Sequence, residues 1–219
     1  MRRGVPRRTR RVAAPVAALL AALLLAAGCS TGSDAVAQGG TFDFVSPGGQ
    51  TTIRYDPPSS RGTIGDLGGP ELLTDEPIAI SDFPGQVVVI NLWGQWCAPC
   101  RAEAPDLEQV YEESKDRGVA FLGVNVRDPQ RDKAQDFVRS RGIGYPSVYD
   151  PTLRSLLALG GSYPTSVIPS TIVLDREHRV AAVFLTSLLA SDLQPVVDEI
   201  AAESPPPSST APSTGTAPS

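Results

Sequence analysis

Val87-Val88-Val89-Ile90-Asn91-Leu92-Trp93-Gly94-Gln95-Trp96-Cys97-Ala98-Pro99-Cys100-Arg101-Ala102-Glu103 is the stretch on which the reading of this chain turns. Its first seven residues form an apolar, β-branched run of buried-strand character. The residues from Arg101 to Tyr111 read as a helix, so Cys97 falls where a strand ends and a helix begins. The free amides and the dipole of a helix N-terminus favour a thiolate over a thiol. Cys100, one turn on, is placed to attack a mixed disulfide formed at Cys97. Two cysteines so arranged are the minimum apparatus for thiol–disulfide exchange.

Other uses of a C-x-x-C pair fit less well. Tetrahedral zinc wants four ligands, and the chain offers no second pair and a single histidine. A c-type haem site needs histidine after the second cysteine, where Arg101 stands. A purely structural disulfide closing so short a loop constrains the unfolded chain little. No metal or cofactor is expected.

Six arginines lie in the first eleven residues, residues 12–27 are almost unbroken apolar sequence, and Gly28-Cys29 follows. A charged segment, an apolar segment and a small-residue cleavage site make an export signal; the apolar run is shorter than the ~20 residues of a spanning helix. Leu25-Ala26-Ala27-Gly28-Cys29 resembles a bacterial lipobox, although Ala26 stands where leucine is commonest. The resemblance implies removal of residues 1–28 and acylation of Cys29. The alternative is ordinary cleavage near Ala27 with Cys29 left free, a liability in a secreted chain. Losing six arginines and no acid takes the formal charge from −5 to −11, which argues against a nucleic-acid partner. The cysteines are then accounted for, one for the anchor and two for the motif.

Residues 29–63 read as a tether followed by a β-hairpin, whose arms Thr41–Val45 and Thr51–Tyr55 flank Pro47-Gly48-Gly49. From Ser30 to Pro77 no residue pattern carries recognisable chemistry. Residues 64–203 read as one domain, large enough for its own core. The helix after Cys100 contains Pro105 and stops near Gly118. A second buried strand covers residues 119–126, and Asp128-Pro129 reads as the cap and first residue of the next helix. A short extended piece (146–150) and a short helix (152–159) follow. A strand opening on Pro169 is paired through the turn Arg176-Glu177-His178 with an antiparallel partner. The last helix begins near Ser191, with Leu193, Val196, Val197, Ile200 and Ala201 as its apolar stripe. Residues 204–219, all Pro, Ser, Thr, Gly and Ala, read as a disordered tail. The expected fold is α/β, a central mixed sheet with helices on both faces and an N-terminal β-hairpin extension.

Trp96-Cys97-Ala98-Pro99-Cys100, Pro105, Pro169 and Asp175, at these spacings, resemble the thioredoxin superfamily. Asn91 six residues before Cys97, Glu103 three after Cys100, and the turn Ser81-Asp82-Phe83-Pro84-Gly85 resemble its extracytoplasmic TlpA/ResA branch. The likeness covers roughly residues 64–203; His178 and Gly94-Gln95 depart from the usual pattern. It implies a thioredoxin-like fold in which Pro169 is cis and packs against the motif, leaving the backbone of Ile168 free to pair with a substrate segment. It also implies a role for Glu103. Set beneath the cysteines, its carboxyl would be raised in pKa by desolvation and would pass protons to and from the sulfurs; the alternative is an exposed helix carboxylate. Arg101 reads as a solvated helix residue and His178 as a surface turn residue. Trp93 and Trp96 read as packing groups shielding the motif.

The expectation is a lipid-anchored thiol–disulfide oxidoreductase on the outer face of a bacterial cytoplasmic membrane, with Cys97, Cys100, Glu103 and Pro169 in its site. By resemblance it reduces exported proteins such as apocytochrome c during cytochrome c maturation, fed by a membrane thiol–disulfide electron donor. An oxidase that introduces disulfides is the alternative, since direction depends on reduction potential and partner. A thiol peroxidase is disfavoured because a C-x-x-C occupies the site. A non-catalytic binding lipoprotein would tolerate loss of either motif cysteine.

Overall fold

The computed structural model describes residues 40–203; Cys29, the signal segment and the Pro/Ser/Thr tail lie outside the described residues. Among the described residues eight strands and three α-helices follow one another: β1 (Thr52–Arg54), β2 (Gly68–Pro70), β3 (Pro77–Ala79), β4 (Val87–Trp93), α1 (Ala98–Ser114), β5 (Val119–Val126), α2 (Arg131–Arg141), β6 (Ser147–Asp150), β7 (Ser170–Leu174), β8 (Val180–Phe184) and α3 (Ala190–Ala202). Six strands form one sheet in the order β1-β8-β7-β4-β5-β6, and β2 and β3 pair separately. β4, β5 and β6 are mutually parallel, while β7 runs antiparallel to both its neighbours, β4 and β8. The mixed sheet is the one expected.

Alternation along β4 decides what covers each face. Val87 and Val89 meet Leu107 and Val110 of α1 and Leu193, Val197 and Ile200 of α3. Further along the same face, Trp93 meets Ala134 and Val138 of α2. The crossovers β4-α1-β5 and β5-α2-β6 step across the sheet in one direction, so right-handed connections set α1 and α2 on the same side. Val88, Ile90 and Leu92 face the other way, among Phe42, Leu67, Ile80, Leu156, Leu159 and Tyr163. The second face is thus covered by extended chain and by 3-10 helices at Ile80–Asp82 and Ser155–Leu159. Helical cover on both faces holds with 3-10 turns in place of α on the second.

Local signals in α1 act as expected. The helix runs on through Pro105, continues as a 3-10 turn and stops at Gly118, whose left-handed φ of 77° suits glycine. Two expectations fail. Thr41–Val45 and Thr51–Tyr55 form no hairpin. β1 pairs with β8 instead, and Phe42 donates its N–H to the Thr63 carbonyl. The sheet edge at β8 offers β1 a ladder backed by a buried face, which an isolated hairpin lacks. Asp128 caps no helix either. The N-cap of α2 is Gln130, and Asp128 is buried against the motif loop.

Arg61, in a segment whose sequence carried no recognisable chemistry, is fully buried. Its guanidinium donates to both carboxylate oxygens of Glu203 at 2.6 and 2.7 Å, to Asp175 at 3.2 Å, to Asp56 at 3.2 Å and to the Tyr55 carbonyl at 3.0 Å. It ties the chain before β2 to the β7–β8 turn and to the end of α3. Removing one partner of a buried ion pair leaves the other charges uncompensated, at about 3–5 kcal/mol. Arg61→Met is expected to lose about that much in urea unfolding; a loss under about 1 kcal/mol would show that the cluster is a surface network.

Candidate active site

Cys97 ends the loop after β4 and caps α1; Cys100 lies in the helix's first turn. The two sulfurs are bonded to each other. The Cys100 N–H donates to the Cys97 sulfur at 3.2 Å, the amide interaction expected of a helix start. The Cys97 sulfur lies 3.9 Å from the Ile168 carbonyl oxygen, and the Ile168–Pro169 bond is cis, as expected. Both cysteines are buried, at 4 % and 3 % exposure, so exposure does not distinguish them. What does is position: Cys97 receives the amide and faces Ile168, whereas Cys100 lines an inner cavity.

That cavity, about 10 Å³, lies among Asn91, Trp93, Cys100, Phe137, Tyr145 and Ser147, with room for at most one water molecule. Trp93 is buried and donates its indole N–H to Ser147 at 3.2 Å. Trp96 is 43 % exposed, and its indole N–H donates to the Val126 carbonyl at 3.0 Å. A Cβ at Gly94 would overlap that indole ring, so glycine there lets Trp96 fold back over the loop. Arg101 is exposed, yet it donates to the Gln95 carbonyl at 2.8 Å. His178, in the β7–β8 turn, contacts the Phe83 carbonyl through Nε2 at 3.0 Å.

Glu103 is 2 % exposed, which removes the surface-carboxylate alternative. Its Oε1 accepts from the Asn91 side-chain amide at 3.0 Å and its Oε2 from the Leu188 N–H at 3.0 Å. Asn91 also donates to the Thr171 hydroxyl at 3.1 Å. Burial pushes the Glu103 carboxyl up to about 7, against the two hydrogen bonds that favour its charged form. Sequence signals named Asn91 and Glu103 separately; their pairing, and the use of Leu188, required the fold.

The raised acid links stability to pH. A carboxyl at about 7 when folded and near 4.3 when unfolded holds more protons in the native state over that interval. Its contribution to stability is fully present below about pH 4 and is lost as pH rises through 7. Wild-type stability in urea should therefore fall between pH 5 and 8 by about 2–3 kcal/mol more than that of Glu103→Gln. Parallel profiles would show that Glu103 titrates as a solvated acid.

Residues 68–183 match the AhpC/TSA family model. The chain is 33 % identical over 114 residues to thiol-disulfide oxidoreductase ResA of Bacillus subtilis; the match takes in 52 % of this chain and 61 % of the relative's length. A secreted thiol-disulfide isomerase from Corynebacterium glutamicum superposes with a TM-score of 0.72 at 48 % identity, covering 75 % of this chain and all of that one. A DsbF homologue from Corynebacterium diphtheriae superposes at 0.69 with 47 % identity, covering 73 % of this chain and 99 % of that one. With its mixed sheet, its cysteine pair at a helix start and its cis-proline, the chain belongs to the AhpC/TSA family as a thioredoxin-like domain.

Proposed function

We propose that this chain is an extracytoplasmic thiol–disulfide oxidoreductase working in the reducing direction on disulfides of exported proteins. The observation that carries the reading is the Cys97–Cys100 pair at the start of α1, facing the Ile168 carbonyl, with Glu103 buried in the same helix. In the reduced protein the Cys97 thiolate attacks one sulfur of a substrate disulfide. A Cys97–substrate bond forms and the first substrate sulfur leaves with the electron pair. Cys100 then attacks Cys97, closing the protein disulfide and releasing the second substrate sulfur. Two electrons pass to the substrate and its two sulfurs take up two protons. Glu103, with its carboxyl raised to about 7, accepts the Cys100 proton as that sulfur attacks, so the step needs no bulk water. The extended backbone at Ile168 pairs with the substrate segment beside Cys97. Within this reading Pro169 is a positioning residue.

The finer reading places the protein on the outer face of a bacterial cytoplasmic membrane, held by acyl chains on Cys29. Residues 1–28 are its signal and residues 204–219 a tail. A membrane thiol–disulfide donor re-reduces it, and apocytochrome c, implied by the TlpA/ResA resemblance, is a substrate. An oxidase that introduces disulfides into exported proteins is the alternative, since the same cysteine pair serves either direction.

Cys100→Ala protein should accumulate mixed disulfides with its substrates through Cys97, read as reducible high-mass adducts in the membrane fraction. Cys97→Ala should accumulate none. Equal trapping by both variants would refute the division of labour, and trapping by neither would favour a binding protein. In the same cells, labelled fatty acid should enter the wild type and not Cys29→Ala; an unlabelled wild type would refute the anchor.

A further inference from the structure

The peptide of Gln95 is held from both sides. Its N–H donates to the Asp128 carboxylate at 3.2 Å, and its carbonyl accepts from the Arg101 guanidinium at 2.8 Å. Gln95 lies inside the turn that carries Cys97, closed by the Cys97 N–H to the Gly94 carbonyl at 3.1 Å. Asp128 comes from the β5–α2 connection and is fully buried. Its own placement is fixed: Arg127 before it has a left-handed φ of 51°, the Asn125 amide donates to its carboxylate at 3.4 Å, and the Tyr149 hydroxyl donates to its carbonyl at 2.9 Å. Among the described residues Asp128 has no cationic partner within ion-pair distance. Both neutral donors reach Oδ2, and Oδ1 has no partner among the described residues, so the buried carboxylate depends on the few donors it has.

We propose that Asp128 and Arg101 are positioning residues that clamp the Gln95 peptide and thereby set the reduction potential of the motif. This rests on the reading of Cys97 and Cys100 as an exchanging pair. In the disulfide the S–S bond itself fixes the turn, with the two Cα atoms 5.3 Å apart. In the dithiol that constraint is gone, and the clamp keeps the two sulfurs within reach of each other. It therefore raises their effective concentration and favours the disulfide, making the dithiol the stronger reductant. Releasing the clamp restores freedom to the dithiol and weakens it as a reductant.

The test is equilibration of purified protein with glutathione buffers, read by alkylation and mass. Two protein thiols give up two electrons and two protons, and glutathione disulfide takes them to become two thiols. Asp128→Ala should shift the equilibrium toward the dithiol by about fivefold, the worth of one hydrogen bond. Asp128→Asn loses the same anion, which by itself favours thiolate and the dithiol, but keeps an acceptor for the Gln95 N–H; the clamp is therefore read as the excess shift of Asp128→Ala over Asp128→Asn, and equal shifts in the two would overturn it. Arg101→Met alters a surface side chain and stays available if Asp128→Ala does not fold. Losing that cation alone would disfavour thiolate and push toward the disulfide, so a shift toward the dithiol supports the clamp. An Asp128→Ala protein that melts cooperatively with the wild-type equilibrium, or an Arg101→Met shift of zero or toward the disulfide, would overturn the clamp and leave the exchange reading standing. A wild type that never equilibrates with glutathione would overturn both.

Discussion

A carboxyl group kept almost wholly out of water, one turn beyond the Cys97–Cys100 disulfide, is the constraint around which this domain is arranged. Glu103 is tolerated there because donors reach it from separate parts of the chain. Asn91 comes from the central strand, itself bound to Thr171 on the neighbouring strand, and the Leu188 N–H comes from the segment leading into α3. These contacts offset part of the burial cost without cancelling it, so the acid rests near neutrality. Such an acid is available both to hold and to release a proton under the conditions in which thiols exchange. The same contacts dock α3 against α1, since Asp106, one turn further along α1, accepts from the Ala190 N–H at 2.9 Å.

Three loops cover the disulfide on the Cys97 side. Trp96 folds back over Gly94, Ile168 presents its carbonyl to Cys97, and the β5–α2 connection lies behind both. Arg127 extends that connection toward the loop before Pro169, donating to the Thr165 carbonyl at 3.2 Å. The motif is thereby referenced to the end of β5 and to the cis-proline loop, as well as to its own helix.

Much of this was legible in the chain because the signals are local. A β-branched run, a cysteine pair and a helical stretch place Cys97 at a helix start with no long-range information. Gly118 and the apolar spacing of Leu193, Val197 and Ile200 likewise announce a helix end and a helix face. What the sequence hid depends on partners distant along the chain. Arg61 meets Glu203 across 142 positions, and a lone arginine in an irregular segment reads as solvated. Asp128-Pro129 has the composition of a helix cap, yet tertiary contact with Gln95 claims the carboxylate. The arms around Pro47-Gly48-Gly49 alternate as a hairpin should, but the open edge of β8 is the better partner for β1. Local pattern loses wherever a distant buried group offers a stronger bond.

The proposed direction is reduction, and the reduction potential of the domain tests it most directly. Equilibrating the wild-type domain, residues 40–203, against a thiol–disulfide couple of known potential should give a value near or below that of thioredoxin, roughly −270 mV. A value near −120 mV, that of a strong disulfide donor, would contradict the reducing assignment and make the protein an oxidase of exported chains.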